Sequence, residues 1–129
     1  MTLLREIYKC DVCGNVVEVV HQGPGQLICC NQPMEKLELK TEDKGMEKHV
    51  PAVKEVSGGI EVAVGDVHHP MEEKHYIKFI EVLTSDKVLR AELGVDQVPV
   101  VQFNISLADV DEVRSYCNIH GLWTYKNSK

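Results

Sequence analysis

The feature that most constrains the fold of this chain is a group of four cysteines within its first thirty residues. Cys10 and Cys13 form a Cys-x-x-Cys pair followed by Gly14, which predicts a tight knuckle that directs two sulfurs to one point. After the strand NVVEVV and the turn QGPGQ, the strand QLI returns the chain to this knuckle with Cys29 and Cys30. A unit of about 36 residues buries too little apolar surface to be stable alone, so it requires a metal, a partner chain, or both.

Four thiolates complete a tetrahedral site, and tetrahedral sulfur sites in proteins hold zinc or iron. A structural zinc ribbon is the simpler interpretation. The adjacent Cys29 and Cys30 count against it, because successive side chains of a relaxed strand point to opposite faces. Metal binding through both cysteines should bend the backbone and distort the tetrahedral geometry. A structural zinc site has no evident benefit from such a distortion. The pattern therefore predicts a metal site and favours a redox iron.

Charge and hydropathy restrict the location of the protein and the partners that it can bind. The beginning of the chain has no long apolar run, so we expect neither a signal peptide nor a membrane span. This indicates a cytoplasmic protein, in which thiols stay reduced and clustered cysteines are metal ligands rather than disulfides. The formal net charge of −6 gives no sign of the basic surface that nucleic-acid binding requires.

The remainder of the chain has the pattern of a β protein. The stretch AVKEVSGGIEVAVG predicts a hairpin around its Ser-Gly-Gly, with Ile60, Val62 and Val64 on one face, and HYIKFIEVLT and GLWTY predict further strands. In VPVVQFNISL, apolar and polar residues alternate, which predicts a strand with one buried face. Short strands without a long helix indicate an immunoglobulin-like β-sandwich. We therefore expect an all-β chain with a small metal-binding domain at residues 1–37, a polar linker at 38–45 and the sandwich at 46–129.

A second concentration of metal-binding side chains lies in the predicted sandwich. Cys117 and His120 in SYCNIHG have the spacing of two ligands of one metal. Four further histidines lie in this part of the chain, namely His49, His68, His69 and His75. His68 and His69 are neighbours on an extended stretch and should face opposite sides, so one of them is expected to be a ligand, and spacing does not choose between them. The remaining histidine, His21, is interpreted as a surface residue.

Imidazole and thiolate ligands suit zinc, copper and iron. The Cys-x-x-His pair resembles that of blue-copper sites, but no methionine follows His120 and the histidines are too many for such a site. Four imidazoles and one thiolate would leave one open position on an octahedral metal, which suits an iron that reacts with a small ligand. The backbone N–H groups of Ile119 and His120 are expected close to the Cys117 sulfur, where they would tune the metal.

Taken together, these motifs resemble the desulfoferrodoxin family, the two-iron class of superoxide reductase. YKCDVCGNVVEV and CCNQPM are similar to its desulforedoxin-like N-terminal domain, and EKHVP, HPMEEKHYI and YCNIHGLW are similar to its catalytic domain. The resemblance covers essentially the full length. It implies a first iron bound by Cys10, Cys13, Cys29 and Cys30, and a second iron bound by His49, His69, His75 and His120 in a plane with Cys117 as the axial ligand. It further implies that His68 is not a ligand, and that Glu47 and Lys48 flank the open position opposite the sulfur.

The resemblance implies one-electron reduction of superoxide to hydrogen peroxide, with two protons consumed, no oxygen released and the electron taken from an external donor such as rubredoxin. Lys48 would attract the anionic substrate, and Glu47 would bind the ferric iron once peroxide has left. A homodimer is also implied, and neither nucleic acid nor a membrane is expected as a partner. The alternatives are a two-iron electron carrier without substrate chemistry and a structural zinc protein.

Overall fold

The computed structural model describes residues 1–42, 49–65 and 70–128. The regular structure of this part comprises thirteen β-strands and one short 3-10 helix, Leu107–Asp109, which confirms the predicted all-β class. The strands are β1 (Ile7–Lys9), β2 (Val16–Glu18), β3 (Ile28–Cys29), β4 (Gln32–Pro33), β5 (Glu35–Lys36), β6 (Leu39–Lys40), β7 (Pro51–Val56), β8 (Gly59–Val64), β9 (Ile77–Leu83), β10 (Val88–Glu92), β11 (Val100–Phe103), β12 (Glu112–Cys117) and β13 (Gly121–Lys126). No helix among these residues is long and apolar enough to cross a membrane.

The chain divides into two compact units, Met1–Glu38 and Leu39–Lys129. The first unit contains a three-stranded sheet in the order β2-β1-β5 and the separate hairpin β3-β4. Its buried apolar side chains are few, namely Ile7, Cys10 and Val19. Such a small core is what the length of the unit predicts, and it leaves the four cysteines as the main candidates for holding the unit together.

The turn between β3 and β4 explains how adjacent cysteines reach one site. Cys29 pairs with Gln32, so Cys30 and Asn31 form a two-residue turn. Both turn residues have positive φ angles, 53° and 62°, as in the type I′ turns that connect tight hairpins. QLICC therefore pairs with the segment that follows it, while the strand from NVVEVV pairs with β1. The backbone bend expected at the adjacent cysteines is located at Cys30.

The second unit contains two sheets that enclose its apolar core. The five-stranded sheet has the order β10-β9-β12-β13-β6, and the three-stranded sheet has the order β11-β8-β7. β7 and β8 form the predicted hairpin, and Ile60, Val62 and Val64 are completely buried, as their alternation predicts. From the facing sheet, β9 and β12 contribute the core residues Ile77, Ile80, Val82, Val113 and Cys117. The result is a β-sandwich in which the thiol of Cys117 belongs to the apolar core.

Two segments differ from the pattern that their sequence suggests. The strand predicted over VPVVQFNISL ends at Phe103, although Ile105 and Leu107 still pack against the core. The 3-10 helix that follows begins where the Ser106 side chain accepts a hydrogen bond from the N–H of Ala108.

Within the predicted linker, Leu39–Lys40 forms β6 and pairs in parallel with β13. This pairing brings the polar segment alongside the end of the sandwich that carries the second group of metal-binding side chains.

Candidate metal centres

Four cysteine side chains of the first unit converge on one point, and we call this group the four-cysteine centre. Its members are Cys10, Cys13, Cys29 and Cys30, whose sulfur atoms all lie within 4.8 Å of one another. The Cys29 sulfur is 3.6 Å from that of Cys13 and 3.9 Å from that of Cys30. A tetrahedral metal with metal–sulfur bonds of about 2.3 Å places its sulfurs about 3.8 Å apart. The spacing therefore fits a four-coordinate iron or zinc.

The predicted knuckle is formed by two backbone hydrogen bonds. The N–H of Gly14 donates to the carbonyl of Cys10 at 2.9 Å, and the N–H of Cys10 donates to the carbonyl of Asn15 at the same distance. Gly14 has a φ of 83°, a left-handed conformation that glycine adopts without steric cost. The turn directs the sulfurs of Cys10 and Cys13 towards the β3-β4 hairpin.

The thiols of the four-cysteine centre shift one another's ionisation. The backbone N–H of Cys13 lowers the pKa of Cys10 to about 7. The side chain of Cys13 raises the pKa of Cys30 to about 12. Near neutral pH the group therefore retains protons that a metal must displace, because the thiolate is the ligand. Metal binding here should release protons and weaken as the pH falls.

The second unit carries the histidine–cysteine centre, which comprises His49, His75, Cys117 and His120. Their ligand atoms also lie within 4.8 Å of one another. Nε2 of His49 is 3.1 Å from Nδ1 of His120, which is 3.9 Å from the Cys117 sulfur. Two ligands at right angles on a metal with bonds of about 2.1 Å are about 3 Å apart, and two ligands at the tetrahedral angle are about 3.4 Å apart. This donor set fits a metal that accepts imidazole and thiolate, such as iron, zinc or copper.

Local backbone features bring these ligands together. Cys117 ends β12, where the pairing with β9 shifts register in a β-bulge, and bulges redirect side chains next to active sites. The turn into β13 carries His120 and closes on Gly121, whose φ is 87°. His75 ends a tight turn that begins at Glu72, with backbone hydrogen bonds of 2.9 and 3.1 Å between the two residues. Cys117, His120 and His75 therefore lie in turns or at a strand end, where the local backbone conformation places them.

The sulfur of Cys117 is shielded from solvent and accepts a backbone hydrogen bond. The residue is completely buried, and the backbone N–H of His120 donates to its sulfur at 3.4 Å. This is one of the two N–H contacts expected from the sequence, the other being that of Ile119. A hydrogen bond to the sulfur favours the thiolate over the thiol and withdraws electron density from it.

Side chains around the ligands hold two of the imidazoles in place. The carbonyl of His49 accepts a hydrogen bond from the buried hydroxyl of Ser115 at 2.7 Å. The His49 ring stacks on Trp123, with ring centroids 4.7 Å apart. The Trp123 indole N–H donates to the His120 carbonyl at 3.1 Å, and the Lys40 ammonium donates to the same oxygen at 2.8 Å. Trp123 therefore contacts both the His49 ring and the backbone of His120.

Ser115, Trp123 and Lys40 are parts of this centre to which the sequence assigned no role, although Trp123 lies in the motif YCNIHGLW. Trp123 has the clearest signal, because it follows His120 by three residues in HGLW. Lys40 reaches His120 across 80 residues of sequence, so no spacing argument connects them. Its placement depends on the parallel pairing of β6 with β13, which only the tertiary structure reveals.

Four residues singled out in the sequence for this centre lie outside the described residues, namely Glu47, Lys48, His68 and His69. The structure thus brings together three of the predicted imidazoles with the predicted thiolate. The choice of His69 over His68 stays a prediction, as do the roles of Glu47 and Lys48.

Two family models match the chain, Desulfoferrodoxin at residues 41–126 and Desulfoferrodoxin, N-terminal domain, at residues 2–37. A desulfoferrodoxin homolog of Methanothermobacter thermautotrophicus is 53% identical over 123 residues, which cover 95% of this chain and 99% of the relative. The desulfoferrodoxin of Desulfarculus baarsii is 50% identical over 122 residues, which cover 95% and 96%. The crystal structure of the superoxide reductase from Treponema pallidum is similar with a TM-score of 0.77 and 27% identity, covering 94% of this chain and 97% of that one.

Proposed function

The chain belongs to the desulfoferrodoxin family, and from this premise we propose that it is a superoxide reductase. The reaction adds one electron and two protons to superoxide and yields one hydrogen peroxide. The observation that carries the proposal is the histidine–cysteine centre, in which three imidazoles and a buried thiol converge within 4.8 Å.

The chain holds two iron ions, one at the four-cysteine centre and one at the histidine–cysteine centre. When bound at the latter, iron supplies one-electron exchange between its ferrous and ferric states. We assign Cys10, Cys13, Cys29 and Cys30 as the ligands of the first iron. We assign His49, His75, His120 and Cys117 to the second, with His69 as its fourth imidazole on the strength of the motif HPMEEKHYI.

Within the histidine–cysteine centre, the thiol of Cys117 must be deprotonated before it can bind a metal. It must lose its proton in a dry environment, which burial opposes and which positive charge and hydrogen-bond donors favour. The N–H of His120 is such a donor, at 3.4 Å from the sulfur. The resulting thiolate would donate electron density to a bound iron, and the hydrogen bond from His120 would limit that donation. The thiolate and its hydrogen bond would together adjust how readily peroxide is released with its O–O bond intact.

Attraction of the substrate must be local, because the net charge of −6 repels an anion from the molecule as a whole. We assign this attraction to Lys48, since a positive charge beside the reaction site raises the local concentration of superoxide. Lys48 would also order a water that delivers a proton. We assign to its neighbour Glu47 the closing of the ferric site after peroxide leaves. The motif EKHVP, which places both residues directly before His49, supports these roles.

We further propose that the protein acts in the cytoplasm as a homodimer, detoxifies superoxide and takes electrons from a small donor protein such as rubredoxin. The first unit supports the dimer, because it exposes apolar side chains that a partner chain would cover. Val12, Val20 and Ile28 are 58%, 81% and 56% exposed. An electron must be supplied for every turnover, since the reaction consumes one and regenerates none.

Measurement of superoxide consumption tests the function. The reduced, iron-loaded protein should consume superoxide generated by pulse radiolysis and form one peroxide for each superoxide, without evolving oxygen. Oxygen evolution at half the rate of superoxide loss would indicate dismutation and contradict the proposal. Reduced protein that exchanges electrons with a donor but leaves superoxide at its spontaneous decay rate would instead be an electron carrier.

A further inference from the structure

Asn118 forms hydrogen bonds with the residues on both sides of His75. Its side-chain oxygen accepts from the N–H of Tyr76 at 2.8 Å, and its side-chain NH₂ donates to the carbonyl of Lys74 at 3.0 Å. Its backbone N–H also donates to the carbonyl of Tyr76 at 3.2 Å. One residue therefore contacts the chain immediately before and immediately after a candidate metal ligand.

The chemistry of the two side-chain contacts requires an amide at this position. The oxygen of Asn118 must accept and its nitrogen must donate at the same time, and of the short side chains only asparagine offers both groups in one plane. Aspartate loses the donor and alanine loses both contacts. The three hydrogen bonds span 42 to 44 residues of sequence, and they extend the pairing of β9 with β12 beyond its last pair, Cys117 with Ile77.

These two loops carry different ligands of the histidine–cysteine centre. Asn118 directly follows Cys117 and precedes His120, whereas its partners flank His75. The turn from Glu72 to His75 has its own backbone hydrogen bonds, but these fix only the shape of the turn and not its place relative to Cys117. The pairing of Cys117 with Ile77 fixes the start of β9, and the contacts of Asn118 carry this connection on to the residues on both sides of His75.

We propose that Asn118 is a positioning residue, which holds the imidazole of His75 at its working place relative to the thiolate of Cys117. This inference rests on the proposed function, since positioning matters only where a metal binds. Outer contacts that orient ligands typically change metal affinity or activity by about 10- to 100-fold when removed. Asn118 touches neither the metal nor the substrate, so its effect passes through His75.

The chain offers a matched control at the other end of the same hairpin. The side-chain NH₂ of Asn127 donates to the carbonyls of Leu107 and Val110 at 3.0 and 2.9 Å. It follows β13, whose end pairs with the start of β12, whereas Asn118 lies in the turn between the two strands. Five residue steps along a strand are about 17 Å, so Asn127 lies far from the ligands.

Release of ferrous iron to a chelator tests the inference under anaerobic conditions. Samples taken during the release are oxidised, and the ferric absorption band that Cys117→Ser removes then reports how much iron remains at the histidine–cysteine centre. We expect Asn118→Ala to release this iron about 10- to 100-fold faster than the parent protein and to shift the band. Asn127→Ala should lower the melting temperature to a similar degree, yet release iron within about twofold of the parent rate, because it contacts no ligand-bearing loop.

Equal release rates for the two alanine variants would overturn the inference, and so would an unshifted band in Asn118→Ala. A parent protein that binds no iron at this centre would instead contradict the proposed function. If Asn118→Ala does not fold, amide exchange in the zinc-loaded parent protein decides. The N–H of Tyr76 precedes β9, and its exchange should be as slow as that of the strand amides because the Asn118 side chain holds it. Rapid exchange at Tyr76 would overturn the inference.

Discussion

Cys117 is the residue on which the chemistry of the second centre depends most. It is the one sulfur of that group, it is completely buried, and it receives a hydrogen bond from the N–H of His120. Replacing it with serine exchanges a soft, electron-rich ligand for a hard oxygen that is not ionised at neutral pH. The sulfur therefore defines both the affinity and the colour of the centre.

Cys117→Ser should accordingly lower iron affinity at the histidine–cysteine centre and abolish its ferric sulfur-to-iron charge-transfer band. The matched control is Cys13→Ser, the same atomic change at the four-cysteine centre, which should leave this band in place. Absorption spectra and iron content of both variants measure the effect. A band that persists in Cys117→Ser would mean that Cys117 is not a ligand.

Lys48 and Glu47 are adjacent in the sequence, and we propose that they serve different steps, Lys48 the capture of superoxide and Glu47 the closing of the ferric site. At about 4 Å, a single charge attracts superoxide by about 1 kcal/mol in water and by several times more where water is partly excluded. Lys48→Ile should thus slow the first, bimolecular step about tenfold or more in low salt, since 1.4 kcal/mol corresponds to a factor of ten. The difference from the parent should shrink as salt screens the attraction.

Pulse radiolysis at two salt concentrations measures this difference. Glu47→Ala should leave the bimolecular step nearly unchanged and alter the spectrum of the final ferric state. Lys54→Ile is the charge control, because Lys54 lies on β7 and faces Glu61 at 3.7 Å on the surface. If Lys48→Ile reacts at the parent rate in low salt, Lys48 is an ordinary solvated lysine.

At the scale of elements, the β7-β8 hairpin combines two glycines with different requirements. A Cβ on Gly59 would overlap the backbone carbonyl oxygen of Phe103, whereas a Cβ on Gly58 would meet nothing within 4 Å. Gly58 has a φ of 85°, so alanine there should cost only about 1–2 kcal/mol of left-handed strain. Gly59→Ala must displace β11 from β8, and we expect it to cost about 3 kcal/mol or more.

Urea unfolding of the two alanine variants separates these costs. Because Phe103 belongs to the apolar core, the displacement in Gly59→Ala should lower the unfolding midpoint well below that of Gly58→Ala. Equal midpoints for the two variants would show that β11 yields without cost and that the close approach of the strands is not required.

The elements that the sequence reveals are those with a regular pattern. The hairpin over β7 and β8 and the core face of β8 follow from alternation and a Gly-Gly turn. β12 is not revealed, although it lies at the centre of its sheet and carries Cys117. Its Arg114 is 3% exposed and donates to the fully buried Glu81 at 2.6 Å. A buried ion pair breaks the apolar alternation, and its partner lies 33 residues away in β9.

At the scale of the whole molecule, each predicted ligand set is contained in one unit. The four cysteines all belong to Met1–Glu38, and the described ligands of the other centre all belong to Leu39–Lys129. Residue types and spacing indicated the four cysteines and the four described ligands of the second set, whereas spacing did not choose between His68 and His69. The contacts that hold the ligands in place were not predictable, since Ser115 and Asn118 act through residues distant in sequence, as does Trp123 where it stacks on His49.

This separation leads to a prediction for the molecule as a whole. Cys13→Ser removes one of four thiolates from a unit that has little other core, so the four-cysteine centre should lose its iron and the first unit much of its stability. The second unit has its own core of completely buried residues and shares no ligand with the first. It should therefore keep its iron and reduce superoxide at close to the parent rate. Iron content should fall by one ion per chain, and pulse radiolysis of the reduced variant measures the rate. A variant that retains the iron of the histidine–cysteine centre, yet no longer reacts with superoxide, would mean that the first centre takes part in the chemistry itself.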